Sequence, residues 1–310
     1  MKVSVLINNY NYAEYVCEAI QSALSQSRPP DEIIVVDDGS TDESVALIEA
    51  EFKEQPSIHI ITKSNQGQLS AFNAGFQASS GDLVFFLDAD DLYAKDYLSR
   101  AIDFYDRHPD CGFLHSAIEK FGAETGIDRA YPQDFDHGFS VIEVLEFHSW
   151  RGGQTTSLSL RRLILEAFLP LSLERDWQIR ADDCLVFGAA VVGAHKYFLA
   201  EPLIRYRVHE RNAFYRKSFS PTDDLQREYR LKRMVGTVAD RCGYHMPALP
   251  DLLLAEFTSA GSGRYSPDLL RYMKLVSRSP RSLIWKTLQW INLIRAYLRM
   301  IFEGRRSKNI

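Results

Sequence analysis

Four short, mostly apolar runs separated by helical patterns constrain this chain most. Val3 to Ile7, Glu32 to Val36, Ser57 to Ile61 and Leu83 to Leu87 each read as a strand. Between the first two, Val16, Ala19, Ile20, Ala23 and Leu24 recur at the spacing of one helix face. Ser40 and Glu43 have capping-box spacing for a helix through Leu47 and Ile48, and another helical stretch covers Asn65 to Ala78. Near-continuous apolar strands that alternate with helices predict a parallel sheet covered on both faces. Such sheets bind ligands at the carboxyl ends of their strands. Here those ends read Asn8-Asn9-Tyr10-Asn11, Asp37-Asp38-Gly39-Ser40 and Asp88-Ala-Asp-Asp91.

The last of these ends delivers three carboxylates into one turn, directly after Phe85-Phe-Leu87. Like charges so close repel one another. A hard divalent cation held by oxygen ligands, itself bridging phosphates, is the usual compensation. The bland alternative is a solvated turn with an Asp capping the helix after Tyr93, and it remains open for one of the three.

Four segments together resemble the nucleotide-sugar glycosyltransferases of family 2. They are Val3-Ser-Val-Leu-Ile-Asn-Asn-Tyr-Asn11, Val35-Val-Asp-Asp-Gly-Ser-Thr-Asp42, Asn65-Gln-Gly-Gln-Leu-Ser-Ala-Phe-Asn-Ala-Gly75 and Gly81-Asp-Leu-Val-Phe-Phe-Leu-Asp-Ala-Asp-Asp91. Glu201-Pro-Leu-Ile-Arg-Tyr-Arg-Val-His209 with Asn212 is similar to the segment that closes the catalytic region in many members. The resemblance implies an α/β GT-A fold, a Rossmann-like and mostly parallel sheet flanked by helices, over residues 1–212. Residues 213–310 are then a helical C-terminal extension.

The same resemblance implies an inverting transferase that uses Mn²⁺ or Mg²⁺. It points to Asp90, Asp91 and His209 as metal ligands, and to Asn8, Tyr10, Asp37, Asp38, Asn65, Gly67, Asn73, Asp88 and Asp90 around the donor, with Asp38 accepting a hydrogen bond from a pyrimidine base, uridine by preference. Asn8-Asn9 departs from the small pair that many relatives carry there. Gly152-Gly-Gln-Thr-Thr156 resembles the acceptor-lining strand start, so Gly153, Gln154 and Thr155 fall on the acceptor side. Arg205 and Arg207 alternate with Tyr206 on a strand and are candidates for phosphate contact or for surface pairing.

An inverting transferase needs a general base on the face opposite the leaving group. Arg180-Ala-Asp-Asp-Cys-Leu-Val-Phe187 resembles the segment that supplies it. Counting to Gly193 favours Asp182, and a slip of one residue selects Asp183. Adjacent helical residues point about 100° apart, so only one can face the site.

Composition agrees with these expectations and removes others. A chain of 310 residues, 45% hydrophobic, can bury a substantial core. Its net charge of −5 argues against a general nucleic-acid binder. Cys17, Cys111, Cys184 and Cys242 are far apart and form no zinc-type pair, which suits reduced thiols in the cytoplasm. No apolar leader precedes the first strand, and no run is long enough for a membrane span, so the expected location is cytoplasmic.

Between Glu119 and Phe139 the sequence is rich in Gly, Asp and aromatics without periodicity and reads as a loop near the acceptor. After Asn212, helical patterns cover Leu225 to Val238, Leu252 to Phe257, Leu269 to Val276 and Ser282 to Phe302. In the last, Ile291, Ile294, Leu298 and Ile301 form an apolar face near Trp285 and Trp290, with Lys286, Arg295 and Arg299 interspersed and Arg305, Arg306 and Lys308 following. A basic amphipathic helix of this kind suits an anionic membrane surface, and packing on the protein or on a second copy suits it equally. The expected partners are a nucleotide-sugar donor and a glycan or lipid-linked saccharide acceptor in polysaccharide or cell-surface glycan synthesis. The rival from another class is a non-catalytic glycan- or partner-binding protein on the same fold.

Overall fold

The computed structural model describes residues 1–212, 219–244, 249–260 and 269–306. The elements run β1 (Val3–Asn9), α1 (Val16–Leu24), β2 (Glu32–Asp37), α2 (Ser44–Phe52), β3 (Ile58–Thr62), α3 (Gln68–Ala78), β4 (Leu83–Asp88), β5 (Leu92–Tyr93), α4 (Tyr97–Arg107) and β6 (Cys111–Gly122). There follow β7 (Gly126–Asp128), β8 (Phe135–Gly138), α5 (Val141–Phe147), β9 (Leu158–Arg161), α6 (Arg162–Glu166), α7 (Asp182–Val191) and β10 (His195–Val208). Helices α8 (Pro221–Arg241), α9 (Leu249–Ala260), α10 (Leu269–Arg278) and α11 (Leu283–Arg306) complete the described chain.

The strands form one sheet in the order β3-β2-β1-β4-β9-β6-β10-β5. The first four are parallel, and β9 enters antiparallel between β4 and β6. Alternate residues of each central strand serve opposite layers, as the two-residue period of a strand requires. Leu6, Ile34, Val84 and Phe86 pack with α3 and α7, whereas Val5, Ile7, Ile33, Val35, Phe85 and Leu87 pack with α1, α2 and α4. Parallel register then sets the site. Asn8 lies opposite Asp88 and Asn9 opposite Asp37, so three polar strand ends meet at one edge.

Several local expectations change. Ser40 does not cap α2. Its hydroxyl donates to Asp37 Oδ2 at 2.6 Å instead, because the turn must satisfy that buried carboxylate. Residues 119–139, read as a loop, carry the end of β6 with β7 and β8, which pair at the margin of the sheet. β7 is exposed throughout and the four-residue β8 buries only His137, so neither offers an alternation long enough to read.

The helices after residue 212 pack in two places. Leu231, Met234, Val235, Val238 and Ala239 of α8 belong to the core beneath the sheet, while α9, α10 and α11 form a separate cluster with Ile142 of α5. Ser220 and Asp223 make a reciprocal capping box at the start of α8, with Pro221 in its first turn. On α11, Trp285 and Trp290 turn inward against that cluster, and Trp290 donates to the Met273 carbonyl at 3.2 Å. Leu283, Ile284, Leu288, Ile291, Ile294 and Leu298 are exposed on the other side. The side chains of Arg305, Arg306 and Lys308 lie outside the described residues. Among the described residues, no helix is long and apolar enough to cross a membrane.

Candidate active site

The polar strand ends open into a cavity of about 840 Å³. One half is lined by Asn8, Asn9, Tyr10, Asp38, Asn65 and Gly67, and the floor by Asp88 and Asp90. The other half is lined by Trp150, Gly152 to Thr155 and Gln178 to Arg180, with Asp182. Most residues expected around a donor and an acceptor are therefore brought together.

The three acids of the turn have different roles. Asp88 accepts from Asn8 Nδ2 at 2.9 Å and from Gln68 Nε2 at 3.2 Å while facing the cavity. Burial, and then the charge of Asp90, push its carboxyl up to about 7. Asp90 also lines the cavity and lies 3.0 Å from His209 Nε2. Asp91 does not line it. Its Oδ2 accepts from Thr156 Oγ1 at 2.6 Å and its Oδ1 from the Arg207 N–H at 2.8 Å. The side chain is 1% exposed and pins the acidic turn to β10, which displaces Asp91 from the expected ligand set.

His209 touches Asp90 without lining the cavity itself. Its Nδ1 accepts from the Arg211 N–H at 3.1 Å, and its Nε2 faces Asp90 Oδ2 and lies 3.3 Å from Asn212 Nδ2. Among the described residues, no group of three or more His, Cys, Asp or Glu side chains is arranged to hold a metal. The donor set that fits a divalent cation is the pair Asp88 and Asp90, since two carboxylates with raised mutual repulsion are what such an ion, completed by phosphate oxygens, would relieve.

Two further donor-side expectations are corrected. Asp37 accepts from Asn9 Nδ2 at 2.7 Å and from Ser40 N–H at 2.9 Å, and it organises the turn without reaching the cavity. Asn73 donates to the Leu171 carbonyl at 2.8 Å and to Glu174 at 2.9 Å, and accepts from Leu171 N–H at 3.0 Å, so it ties α3 to the 171–174 loop. Asp38 does face the cavity. It pairs with Lys63 and accepts from Gly67 N–H at 2.7 Å, which fixes the 63–67 loop. Gly67 has φ +90, and a Cβ there would lie 2.3 Å from Gln178 Cα, so only glycine lets this loop meet the opposite wall. Asn8 and Asn9 each keep a buried side-chain oxygen without a partner, an arrangement suited to accepting bonds from a ligand. Arg207 points away from the cavity, donating to the Asp90 carbonyl at 2.8 Å and pairing with Glu18, whereas Tyr206 lines it. Arg205 likewise sits near Glu119.

The adjacent acids of α7 diverge as helical geometry demands. Asp183 is fully buried and accepts two 2.9 Å bonds from Arg227 of α8. Asp182 faces the cavity, close enough for its charge to raise Asp88 further. Burial, and then the neighbouring Asp183, push Asp182 up to about 7, close to the value that suits proton exchange near neutrality.

A family comparison now bears on this site, because the glycosyl transferase family 2 profile matches residues 4–166, which hold the acidic turn. The chain belongs to glycosyl transferase family 2. An uncharacterized glycosyltransferase of Nostoc sp. (strain PCC 7120) is 38% identical over 215 residues, covering 68% of this chain and 66% of that protein. A Bacillus subtilis glycosyltransferase named for teichuronic acid biosynthesis, TuaG, is 36% identical over 103 residues, covering 33% of this chain and 41% of its own. This chain spans less than two thirds of either relative. The crystal structure of Staphylococcus aureus TarS 1–349 in complex with UDP-GlcNAc superposes with a TM-score of 0.57 at 16% identity, covering 99% of this chain and 92% of that one. At that identity the likeness establishes the GT-A-type fold.

Gln68 is the main residue that motif reading missed. Its amide nitrogen lies 3.2 Å from both Asp88 Oδ1 and Thr155 Oγ1, and its oxygen accepts from Ala181 N–H at 2.9 Å. One side chain thus links the acidic turn, the opposite wall and the start of α7. The signal was its place in Asn65-Gln-Gly-Gln68, one residue after the glycine. Trp150 and Arg180, beside the quoted Gly152 and Asp182, were missed because nothing in a single sequence sets them apart from surface residues.

Proposed function

We propose that this glycosyltransferase moves a sugar from a uridine diphosphate donor to a hydroxyl of a glycan or lipid-linked saccharide, with inversion, in polysaccharide or cell-surface glycan synthesis. The observation that carries the reading is that Asp182 lines the same cavity as Asp88 and Asp90, while Asp183 is held by Arg227. UDP and UDP-GlcNAc complexes of TarS support the choice of donor. The name of one relative, TuaG, in teichuronic acid biosynthesis supports a cell-surface product.

Asp88 and Asp90 are the residues that would hold Mn²⁺ or Mg²⁺, which when bound supplies positive charge against the leaving diphosphate. Asn8, Asn9, Asp38, Asn65 and Gly67 bind the nucleoside end. Gln68 and His209 orient Asp88 and Asp90. Asp182 takes the proton from the acceptor hydroxyl as it attacks, and Trp150 to Thr155 position that acceptor. Transfer assays with a panel of nucleotide sugars, with and without Mn²⁺, test the reading; activity that survives Asp182→Asn would overturn it.

The exposed stripe of α11, flanked by Arg295 and Arg299, would seat the enzyme on the cytoplasmic face of an anionic membrane. The wild-type chain is expected to cosediment with phosphatidylserine vesicles at low salt, and Leu288→Glu with Ile291→Glu to abolish this.

A further inference from the structure

The wall at residues 150–155 lies outside the sheet, ahead of β9 at Leu158, and one of its anchors leads to the C-terminal helices. Glu143 of α5, 3% exposed, receives a bidentate pair of bonds from each of two guanidiniums. Arg151 donates through Nε at 2.9 Å and Nη2 at 3.0 Å. Arg271 of α10 donates through Nε at 3.0 Å and Nη2 at 2.9 Å. Paired parallel bonds of this kind fix orientation as well as charge. Burial pushes the Glu143 carboxyl up, yet the bonds from Arg151 and Arg271 outweigh it and hold it down at about 2. Arg271 also donates to the carbonyls of His137 and Phe139, so a single side chain of α10 spans β8 and α5.

Arg151 stands between Trp150 and Gly152, which both line the cavity. Its carbonyl accepts from the buried Lys196 Nζ at 3.1 Å, which also holds this backbone. Helix α5 is shared between the two cores, with Val144 in the one beneath the sheet and Ile142 in the C-terminal cluster. A second tie runs beside the first: Glu256 of α9 accepts from Ile142 N–H and from the Tyr272 hydroxyl, both at 2.9 Å.

We propose that Glu143, Arg151 and Arg271 form a clasp by which the C-terminal helices hold the acceptor wall, making Arg271 a positioning residue for acceptor capture although it does not line the cavity. The assignment of the wall to the acceptor rests on the function proposed above; the mechanical role of the clasp does not.

Hydrogen exchange on the full chain tests it through Arg271→Gln, with Arg271→Lys as the conservative partner. The glutamine variant should exchange about tenfold faster or more across residues 148–154, while residues 3–9 and 83–88 keep wild-type protection and UDP affinity in Mn²⁺ is unchanged. The lysine variant, which keeps the charge and loses the fork, should fall between. Unchanged exchange over 148–154 overturns the clasp, and so does faster exchange spread equally over the central strands, since that signals general destabilisation. A loosened wall that leaves transfer to a glycan acceptor untouched would instead uphold the clasp and remove the acceptor reading.

Discussion

The two halves of the cavity are held by different forces. The donor half rests on β1, β2 and β4, whose parallel register places Asn8 beside Asp88 and Asn9 beside Asp37 through backbone bonds alone. The acceptor half is built from two loops, 150–155 and 178–181, with the start of α7, joined to the rest mostly by side chains such as Gln68, Arg151 and Arg227 and by one backbone bond from the Gln68 N–H to the Gln178 carbonyl. Backbone pairing tolerates changes of side chain, whereas a loop held by ion pairs loses its place when one partner goes. Donor chemistry common to a family can therefore sit on the sheet while acceptor preference varies on the loops.

The largest effect should come from the acceptor half. Asp182→Asn removes proton acceptance and nearly keeps the shape, so transfer should fall by about 10²–10⁴ while UDP binding survives. Initial-rate assays beside calorimetric UDP titration separate the two, and parallel loss of UDP binding would erase the contrast between the halves.

Asp183→Asn should act on stability. It leaves Arg227 without its buried partner, which costs about 3 kcal/mol, the low end for such a pair because Arg227 is partly exposed. Urea unfolding reads this directly. A normal midpoint with lost transfer would reverse the roles of the two acids.

In the donor half, Asp90→Asn should weaken Mn²⁺-dependent UDP binding by at least the roughly 10–100-fold that even an indirect metal partner costs. Asp91→Asn should leave that affinity nearly intact and lower the melting temperature, since Asp91 serves Thr156 and Arg207. Equal loss of affinity in both variants would return Asp91 to the ligand set.

The smallest effect is a pH dependence set by Asp182, whose carboxyl is raised to about 7. Transfer should rise with pH along a limb centred near that value, because only the carboxylate accepts a proton. Stability should run the other way. A folded carboxyl above its ordinary value near 4 binds its proton more tightly than the unfolded chain does, so its contribution is full at low pH and is lost as pH rises towards 7. Comparing melts at pH 5 and 7.5 for wild type and Asp182→Asn checks this, with a flatter slope expected in the variant.

The donor half was the more legible of the two, and for the same physical reason. Asn8, Asp38, Asn65, Gly67 and Asp88 follow short strands and turns that one sequence displays as contiguous motifs, and all of them line the cavity. Asp37, Asp91 and Asn73 lie in the same motifs yet spend their polar atoms on the protein, a division that depends on partners distant in sequence such as Thr156, Arg207 and Leu171. Residues 119–139 looked like a loop because marginal strands bury too little to impose alternation.

By itself, the sequence determined the alternation of strands and helices, the parallel sheet and the acids at its carboxyl edge, because apolar periodicity and turn chemistry are local. It also established that one of Asp182 and Asp183 must turn inward, since adjacent helical residues diverge. Counting to Gly193 favoured Asp182 without excluding Asp183, and only the fold, with Arg227 arriving from α8, takes Asp183 out of the cavity. Likewise, whether the tryptophans of α11 face solvent depended on where α9 and α10 packed. Pair contacts between segments far apart in the chain fix such choices, and no local pattern encodes them.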